Sequence, residues 1–164
     1  MASRRLYLQE VVLRPSGRFP PSHRVRKRAE YQQIQRSARR VSTPSFVLLL
    51  HARADDSGPR LGIVASRKVG CAVVRNRAKR LIREAFRATP ELWGADVDVI
   101  VIVKRAPGDA HLRDVLTEWR AVEAVVRKRT EDARADRRRR ADAAPAQGSG
   151  AGDHGEKARD SRSQ

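Results

Sequence analysis

Apolar residues recur at helical spacing in two parts of the chain. In residues 27–38, Tyr31, Ile34 and Ala38 follow an i, i+3, i+7 pattern that predicts a helix with a narrow apolar side. Residues 73–88 carry a longer pattern of the same period, which predicts a second helix with one apolar face. The apolar stripe of this second helix consists of Ala78, Leu81, Ile82, Ala85 and Phe86.

Three other segments have the composition of strands. Residues 46–50 are apolar on both alternating faces, which indicates a strand covered on both sides. Residues 61–66 follow a turn-rich segment and are expected to form a hairpin with the first strand. Residues 97–103 are rich in β-branched side chains and predict a third strand. A last helix is expected over residues 109–128, with Asp109 capping its amino terminus.

The resulting order, α-β-β-α-β-α, predicts an α/β (α+β) sandwich in which helices pack on a central mixed sheet. Residues 23–128 hold nearly all the strongly apolar side chains and are expected to form the folded domain. Residues 1–22 are interrupted by proline and glycine, which predicts a flexible extension. Residues 129–164 consist mainly of Arg, Asp, Ala, Gly and Ser, so we expect a disordered basic tail.

The charge balance narrows the range of partners. The formal net charge is +17, and a chain this basic favours a polyphosphate partner. An anionic membrane is a poor alternative, because the apolar stripe of helix 73–88 is needed to cover the sheet. The apolar runs are too short to span a bilayer. Cys71 is the only cysteine and no secretory leader is visible, so we expect a cytoplasmic location.

The polar side of helix 73–88 carries the most specific chemistry. Its cations have few carboxylates at i+4 to balance them, and only Glu84 interrupts the charge. Arginine can grip a phosphate with two N–H groups and stack on a base, which points to an RNA backbone as the ligand. Cations at the preceding strand end extend this surface. The residues concerned are Arg67, Lys68, Arg75, Asn76, Arg77, Lys79, Arg80, Arg83 and Arg87.

Catalytic and metal-binding patterns are not found. The four histidines are scattered without zinc-ligand spacing. The carboxylates form no pair suited to acid–base catalysis, which argues against a protein-only nuclease. We therefore expect no catalytic residue and no metal ligand on this chain.

The segment from Lys68 to Glu84 follows the pattern K-x-G-x-A-V-x-R-N-R-x-K-R-x-x-R-E. This pattern resembles the hallmark of the protein component of bacterial ribonuclease P. The likeness covers roughly residues 23–125, including Glu30-Tyr31 and the strands near Phe46 and Val101. The resemblance implies a left-handed βαβ crossover that presents the arginine-rich helix.

The family resemblance also implies a function. Such a protein would be a subunit of an endoribonuclease that removes the 5′ leader of precursor tRNA and leaves a 5′-phosphate. Its partners would be the catalytic ribonuclease P RNA and precursor tRNA, and no obligate protein partner is expected. The RNA subunit would hold the catalytic Mg²⁺ and perform the cleavage.

The resemblance assigns roles to particular residues. Arg67, Lys68, Arg75, Asn76, Arg77, Lys79, Arg80 and Arg83 would contact RNA. Tyr31, Phe46 and Ser66 would bind the 5′ leader in a cleft between the first helix and one sheet face. Three positions depart from the family pattern, namely Gln35, Leu49 and Cys71. The alternative is a structural RNA-binding protein of ribosomal type, which would not prefer leader-bearing tRNA.

Overall fold

The fold is described for residues 21–106, 108 and 110–143 by a computed structural model. This part of the chain forms a mixed α/β fold of four helices and four strands, which confirms the expected class. The helices are α1 (Arg28–Ser37), α2 (Ala72–Ala88), α3 (Leu112–Ala121) and α4 (Glu123–Asp142). The strands are β1 (Arg39–Ser42), β2 (Phe46–Ala52), β3 (Arg60–Val64) and β4 (Val97–Val103). Short 3-10 turns lie at Pro21–His23, Arg67–Val69 and Pro90–Leu92.

The strand order in the sheet is β1-β2-β4-β3. Strand β4 runs antiparallel to β2 and parallel to β3. The expected hairpin between β2 and β3 is therefore wrong, because β4 lies between them. The sequence of β4 is VDVIVIV, and nearly all of it is buried, as a central strand requires. The handedness of the β3–α2–β4 crossover stays a prediction.

Helix α1 covers one face of the sheet. Ile34 is buried in a cluster with Val47, Leu49 and Ile100, which project from neighbouring strands. Tyr31 and Ala38 pack against the same cluster. The apolar side expected for this helix is therefore confirmed, and it fixes α1 across the sheet.

Helices α2, α3 and α4 cover the opposite face. Phe86 of α2 stacks on Trp93 with ring centroids 5.2 Å apart, and Trp93 meets Trp119 edge-on at 5.3 Å. All three rings are buried in the larger core cluster. Trp93 thus contacts both Phe86 of α2 and Trp119 of α3, and it joins these two helices within a core that is otherwise mainly aliphatic.

The carboxyl-terminal part of the described chain differs most from the expectation. Helix α3 begins after His111, whose N–H donates to the Asp114 carboxylate at 2.7 Å. The expected cap, Asp109, lies outside the described residues. Helix α4 continues to Asp142, so the prediction of disorder is wrong for residues 129–142.

Two kinds of contact order the end of α4. Thr130 and Ala133 are buried against the rest of the protein. Arg134 donates to Asp96 at 2.9 and 2.5 Å, and Arg39 donates to Asp136. The predicted extension and tail otherwise fall outside the described residues, at 1–20 and 144–164, although residues 21 and 22 belong to the first 3-10 turn.

Candidate nucleic-acid interface

Helix α2 is held on the sheet by its apolar side. Ala78, Ile82, Ala85 and Phe86 are buried, and Leu81 packs partly buried against the same core. This arrangement confirms the stripe expected from the sequence. Since one side of the helix is committed to the core, the remaining positions face outward.

The outward positions form a cationic surface that makes no ion pair with an acid of the described residues. In the described chain, none of the ion pairs involves a basic residue between positions 67 and 87. Arg77 makes one long hydrogen bond to the Ala110 carbonyl, at 3.4 Å. The exposed side chains are Arg67, Lys68, Asn76, Arg77 and Arg80, and the half-buried ones are Arg75, Lys79, Arg83 and Arg87. We call these nine residues the α2 cationic surface.

The chain enters α2 through a sharp turn at Gly70. Its φ of 141° lies in a region that side chains avoid, and a Cβ here would approach Val74 at 3.1 Å. Buried Val69 anchors the preceding 3-10 turn, so the exposed Arg67 and Lys68 stand beside the amino terminus of α2. The positive end of the helix and these two cations therefore favour an anion at the same place.

Cys71 occupies the position just before α2 and is exposed. Hydrogen bonds from the backbone N–H groups of Val74 and Val73 lower the pKa of its thiol below the ordinary value. The thiol therefore lies on the edge of the α2 cationic surface and outside the core.

Tyr31 lies half-buried at the edge of the α1 face. Its hydroxyl accepts a hydrogen bond from the N–H of Ile63 at 3.2 Å, and its ring rests on Gly62. Burial of the hydroxyl raises the pKa of Tyr31 above its usual value. The tyrosine thus has a structural contact with β3 as well as an accessible part.

The α1 face of the sheet is open on one side of the helix. Ile100 beneath α1 is fully buried, whereas Val64 and Ile102 are only partly covered. These two side chains lie in register on adjacent strands, and exposed Ser66 follows at the end of β3. Val64, Ile102 and Tyr31 form an apolar strip beside α1, which we call the α1-side cleft, and Ser66 lies two residues beyond the end of β3.

Phe46 does not belong to this cleft. It lies on the opposite sheet face, is 6% exposed, and meets Trp119 edge-on with centroids 6.3 Å apart. Strand alternation explains the difference, because Val47 projects to the α1 side and Phe46 to the other. The expectation that Phe46 lines the cleft with Tyr31 is wrong.

The three departures from the family pattern also have definite places. Leu49 is buried beneath α1, Gln35 is exposed on α1, and Cys71 is exposed before α2. Strand β1 was not expected from the sequence, and it places exposed Arg40 and Ser42 on either side of buried Val41. The alternation of polar and apolar residues in this segment is the signal that could have found them.

Across residues 21–106, 108 and 110–143, no group of three or more His, Cys, Asp or Glu side chains could hold a metal ion. The helices in these ranges include none with the length and apolar composition needed to cross a lipid bilayer.

The fold and the α2 cationic surface define a class of protein, namely an α/β protein that presents a basic helix suited to a polyanion, with no ion pair to the acids in the described part of the chain. Comparison with known families makes the assignment specific. The chain belongs to the ribonuclease P family, because the family model described as Ribonuclease P matches residues 19–130.

Individual relatives agree with this assignment. The ribonuclease P protein component of Xanthomonas oryzae pv. oryzae is 50% identical over 88 residues, which cover 52% of this chain and 59% of that protein. The chain therefore spans less than two thirds of that relative's length. The protein of the same name from Syntrophus aciditrophicus is 39% identical over 97 residues, covering 59% of this chain and 81% of the relative.

Solved structures give the same fold. The Staphylococcus aureus RNase P protein is 30% identical with a TM-score of 0.56, over 63% of this chain and 94% of that one. The RNase P protein from Thermotoga maritima is 27% identical with a TM-score of 0.55, over 60% of this chain and 93% of that one.

Proposed function

We propose that this chain is the protein subunit of ribonuclease P and assists removal of the 5′ leader from precursor tRNA. The observation that carries the proposal is the α2 cationic surface, which is held on the sheet by the buried apolar side of α2 and makes no ion pair with acids of the described chain. In the proposal, α2 binds the catalytic RNA and the α1-side cleft binds the leader. We assign it to the cytoplasm, where bacterial precursor tRNA is made.

The chemistry of the α2 cationic surface suits a folded RNA. Each guanidinium group can donate two parallel hydrogen bonds to one phosphate, which a lysine cannot do. The amide of Asn76 can both donate and accept, so it can contact a ribose hydroxyl or a base edge. Mutual repulsion among the cations is relieved when phosphates bind, which predicts a steep dependence of affinity on salt.

The α1-side cleft suits a single strand. Its floor of Val64 and Ile102 is apolar, Tyr31 offers part of a ring, and Ser66 supplies a hydroxyl. Stacking on an aromatic ring is worth about 1–3 kcal/mol per base. Because Gln35 stands where the family often has a second aromatic ring, we expect fewer stacked bases and a weaker preference among leader sequences.

Hydrolysis is assigned to the RNA subunit with its bound Mg²⁺. The role of this chain is then to position the substrate and to neutralise phosphates near the cleavage point, so that the metal ions act on an ordered strand. Leader binding would favour precursor over product, because the product lacks the segment that the cleft holds.

Reconstitution tests the proposal. The purified chain is mixed with a bacterial ribonuclease P RNA and precursor tRNA at low Mg²⁺, and appearance of the mature 5′ end is followed. We expect strong stimulation by the protein, none with protein alone, and weaker stimulation by Arg77→Ala/Arg80→Ala than by the matched Arg113→Ala/Arg120→Ala pair.

A structural RNA-binding protein gives a different result in the same experiment. It would bind leader-bearing and leaderless tRNA equally and would leave the cleavage rate unchanged. Either result would refute the proposed role in processing.

A further inference from the structure

A groove of about 890 Å³ lies where the ends of α1 and α4 meet the end of β2. It is separate from the α2 cationic surface and from the α1-side cleft. Its polar lining residues include Glu30, Arg36, Ser37, His51, Arg60, Asp98, Arg137 and Arg140.

The two acids of this groove are already neutralised. Asp98 is almost fully buried and accepts two hydrogen bonds from Arg60, at 2.7 and 2.8 Å. The Nε of Arg53 lies 3.1 Å from the same carboxylate. Glu30 pairs with the same Arg60 at 3.1 Å. The acids therefore leave no free negative charge for the other cations of the groove.

The remaining arginines of the groove make no direct ion pair in the described chain, although Arg137 is near enough to Asp96, and Arg140 to Asp136, to contribute to the lowered pKa values of those carboxyl groups. None of the ion pairs there involves Arg36, Arg137 or Arg140. The Nε of Arg137 is buried and lacks a hydrogen-bond partner among the described atoms. A buried donor without a partner is unfavourable, so the guanidinium group of Arg137 is incompletely satisfied within the described chain.

The neighbouring surface adds to this charge. Arg36 and Arg140 also line an adjoining groove with Arg139. Asp136 is the acid there; Arg39 already binds it through two hydrogen bonds, and Arg139 lies 3.9 Å from it. Helices α1 and α4 both end nearby, and the partial negative charge of their carboxyl termini offsets only part of several guanidinium charges.

The groove and the α2 cationic surface share no residue and lie on different helices. Helix α4 packs on β1 and β2 at one edge of the sheet, whereas α2 packs against β3 at the other edge. The family model ends at residue 130, so the last turns of α4 are a feature of this chain beyond that match.

We propose that the groove between α1 and the end of α4 is a second binding site for an RNA backbone, with Arg36, Arg137 and Arg140 holding phosphate groups. The site goes beyond the proposed function, which assigns RNA contacts only to α2 and the α1-side cleft. An RNA that reaches both edges of the sheet would be clamped from two sides. Two charge patches on helices that pack on one sheet also restrict how the RNA can be oriented.

The test compares two double variants that remove equal charge. Arg137→Gln/Arg140→Gln alters the groove, and Arg120→Gln/Lys128→Gln alters exposed cations elsewhere on α3 and α4. Dissociation constants for ribonuclease P RNA and for precursor tRNA are measured separately across a salt series. The two RNAs identify which one uses the groove.

We expect the groove variant to lose about tenfold in affinity for one of the RNAs at low salt. The slope of log affinity against log salt should fall by about one to two, as for one or two lost phosphate contacts. The matched variant should change neither. Arg137→Lys/Arg140→Lys should recover most of the slope, and all variants should melt as the parent does.

Three results would overturn the site. Equal losses in the two glutamine variants would show a general charge effect. An unchanged affinity of the groove variant for both RNAs would show that the groove does not bind RNA. Loss of binding to phosphatidylglycerol vesicles without loss of RNA binding would make it a lipid surface. None of these three results would prevent α2 from stimulating cleavage, so the reconstitution assay tests the proposed function independently of the groove.

Discussion

Arg39 and Asp136, which are 97 residues apart in the chain, are joined by hydrogen bonds of 2.7 and 2.8 Å. The pair connects the first residue of edge strand β1 to the last turns of α4. Close by, Arg134 reaches Asp96 just before β4. The end of α4 is therefore part of the folded domain.

Removal of residues 131–164 should destabilise the protein. The truncation deletes the Arg134–Asp96 pair and exposes the surface that buried Ala133 covers. We expect the free energy of unfolding to fall by about 1–2 kcal/mol, measured by urea denaturation. A control that ends at Ala143 should keep the parent stability, and equal stability of both truncations would contradict the structure.

Acid should weaken the ion pair between Arg134 and Asp96. Burial of Asp96 acts to raise its pKa, but the hydrogen bonds and charge of Arg134 outweigh burial and lower the pKa below the ordinary value. The carboxylate therefore contributes stability that is complete above the unfolded pKa of about 3.9 and is lost as pH falls through the folded value. Thermal melts from pH 7 to pH 2.5 measure this loss.

Asp96→Asn supplies the comparison for the acid experiment. The amide cannot titrate, so the variant should be less stable than the parent at pH 7 and should lose less stability on acidification. Parallel pH profiles for the two proteins would show that Asp96 has no such role.

Arg80→Ala and Arg77→Ala should each weaken binding to ribonuclease P RNA about three- to tenfold at low salt. Their stability should change by less than about 0.5 kcal/mol, because neither side chain is buried or ion-paired within the described chain. Filter binding and urea denaturation measure the two quantities. Unfolding of either variant would mean that the side chain is structural, and Arg120→Ala is the matched control.

Gly62→Ala should disturb Tyr31. The new Cβ would lie 2.8 Å from the tyrosine hydroxyl and 3.0 Å from its ring, so the ring must move. We expect a loss of about 1–3 kcal/mol in stability. Tyr31→Phe removes only the hydrogen bond to Ile63 and should lose about 0.5–1.5 kcal/mol.

Calorimetry measures both changes, and leader binding distinguishes them further. If the ring stacks on the leader, Tyr31→Phe should bind leader-bearing tRNA nearly as well as the parent, whereas Gly62→Ala should bind less well. A Gly62→Ala variant of parent stability would be inconsistent with the close contact.

The sequence predicted helices α1 and α2 well because their apolar stripes have a clear period. The same residues, including Ile34, Ile82 and Phe86, are buried in the structure. The α2 cationic surface was predicted for the same reason, since fixing the apolar side also fixes the polar one.

Strand pairing could not be predicted from local pattern. Neighbouring strands in sequence usually pair, so a hairpin of β2 with β3 was expected. The later β4 carries more buried apolar residues and takes the place between them. Strand β1 was missed because it has four residues and only Val41 among them is buried. Which sheet face Phe46 lies on likewise could not be predicted, because it depends on how the helices pack on the assembled sheet.

One helix was expected over residues 109–128, whereas the structure has α3 and α4 with a break at Val122 and continues α4 to Asp142. The continuation beyond residue 128 was missed for a different reason. The buried positions of α4, Val126, Thr130 and Ala133, are small or moderately polar, so the apolar side is weak in the sequence. Its partners Asp96 and Arg39 lie far away in the chain. Long-range ion pairs of this kind leave no local pattern.

The central position of β4 has a consequence for synthesis. Until residues 97–103 have left the ribosome, β2 and β3 have no strand to join them, although the basic helix between β3 and β4 has already emerged. The contact between β1 and the end of α4 forms later still, because Arg39 binds Asp136, which is synthesised after β4. The nascent chain therefore exposes its cations before it has a complete sheet to support them, and folding must be largely completed late in translation.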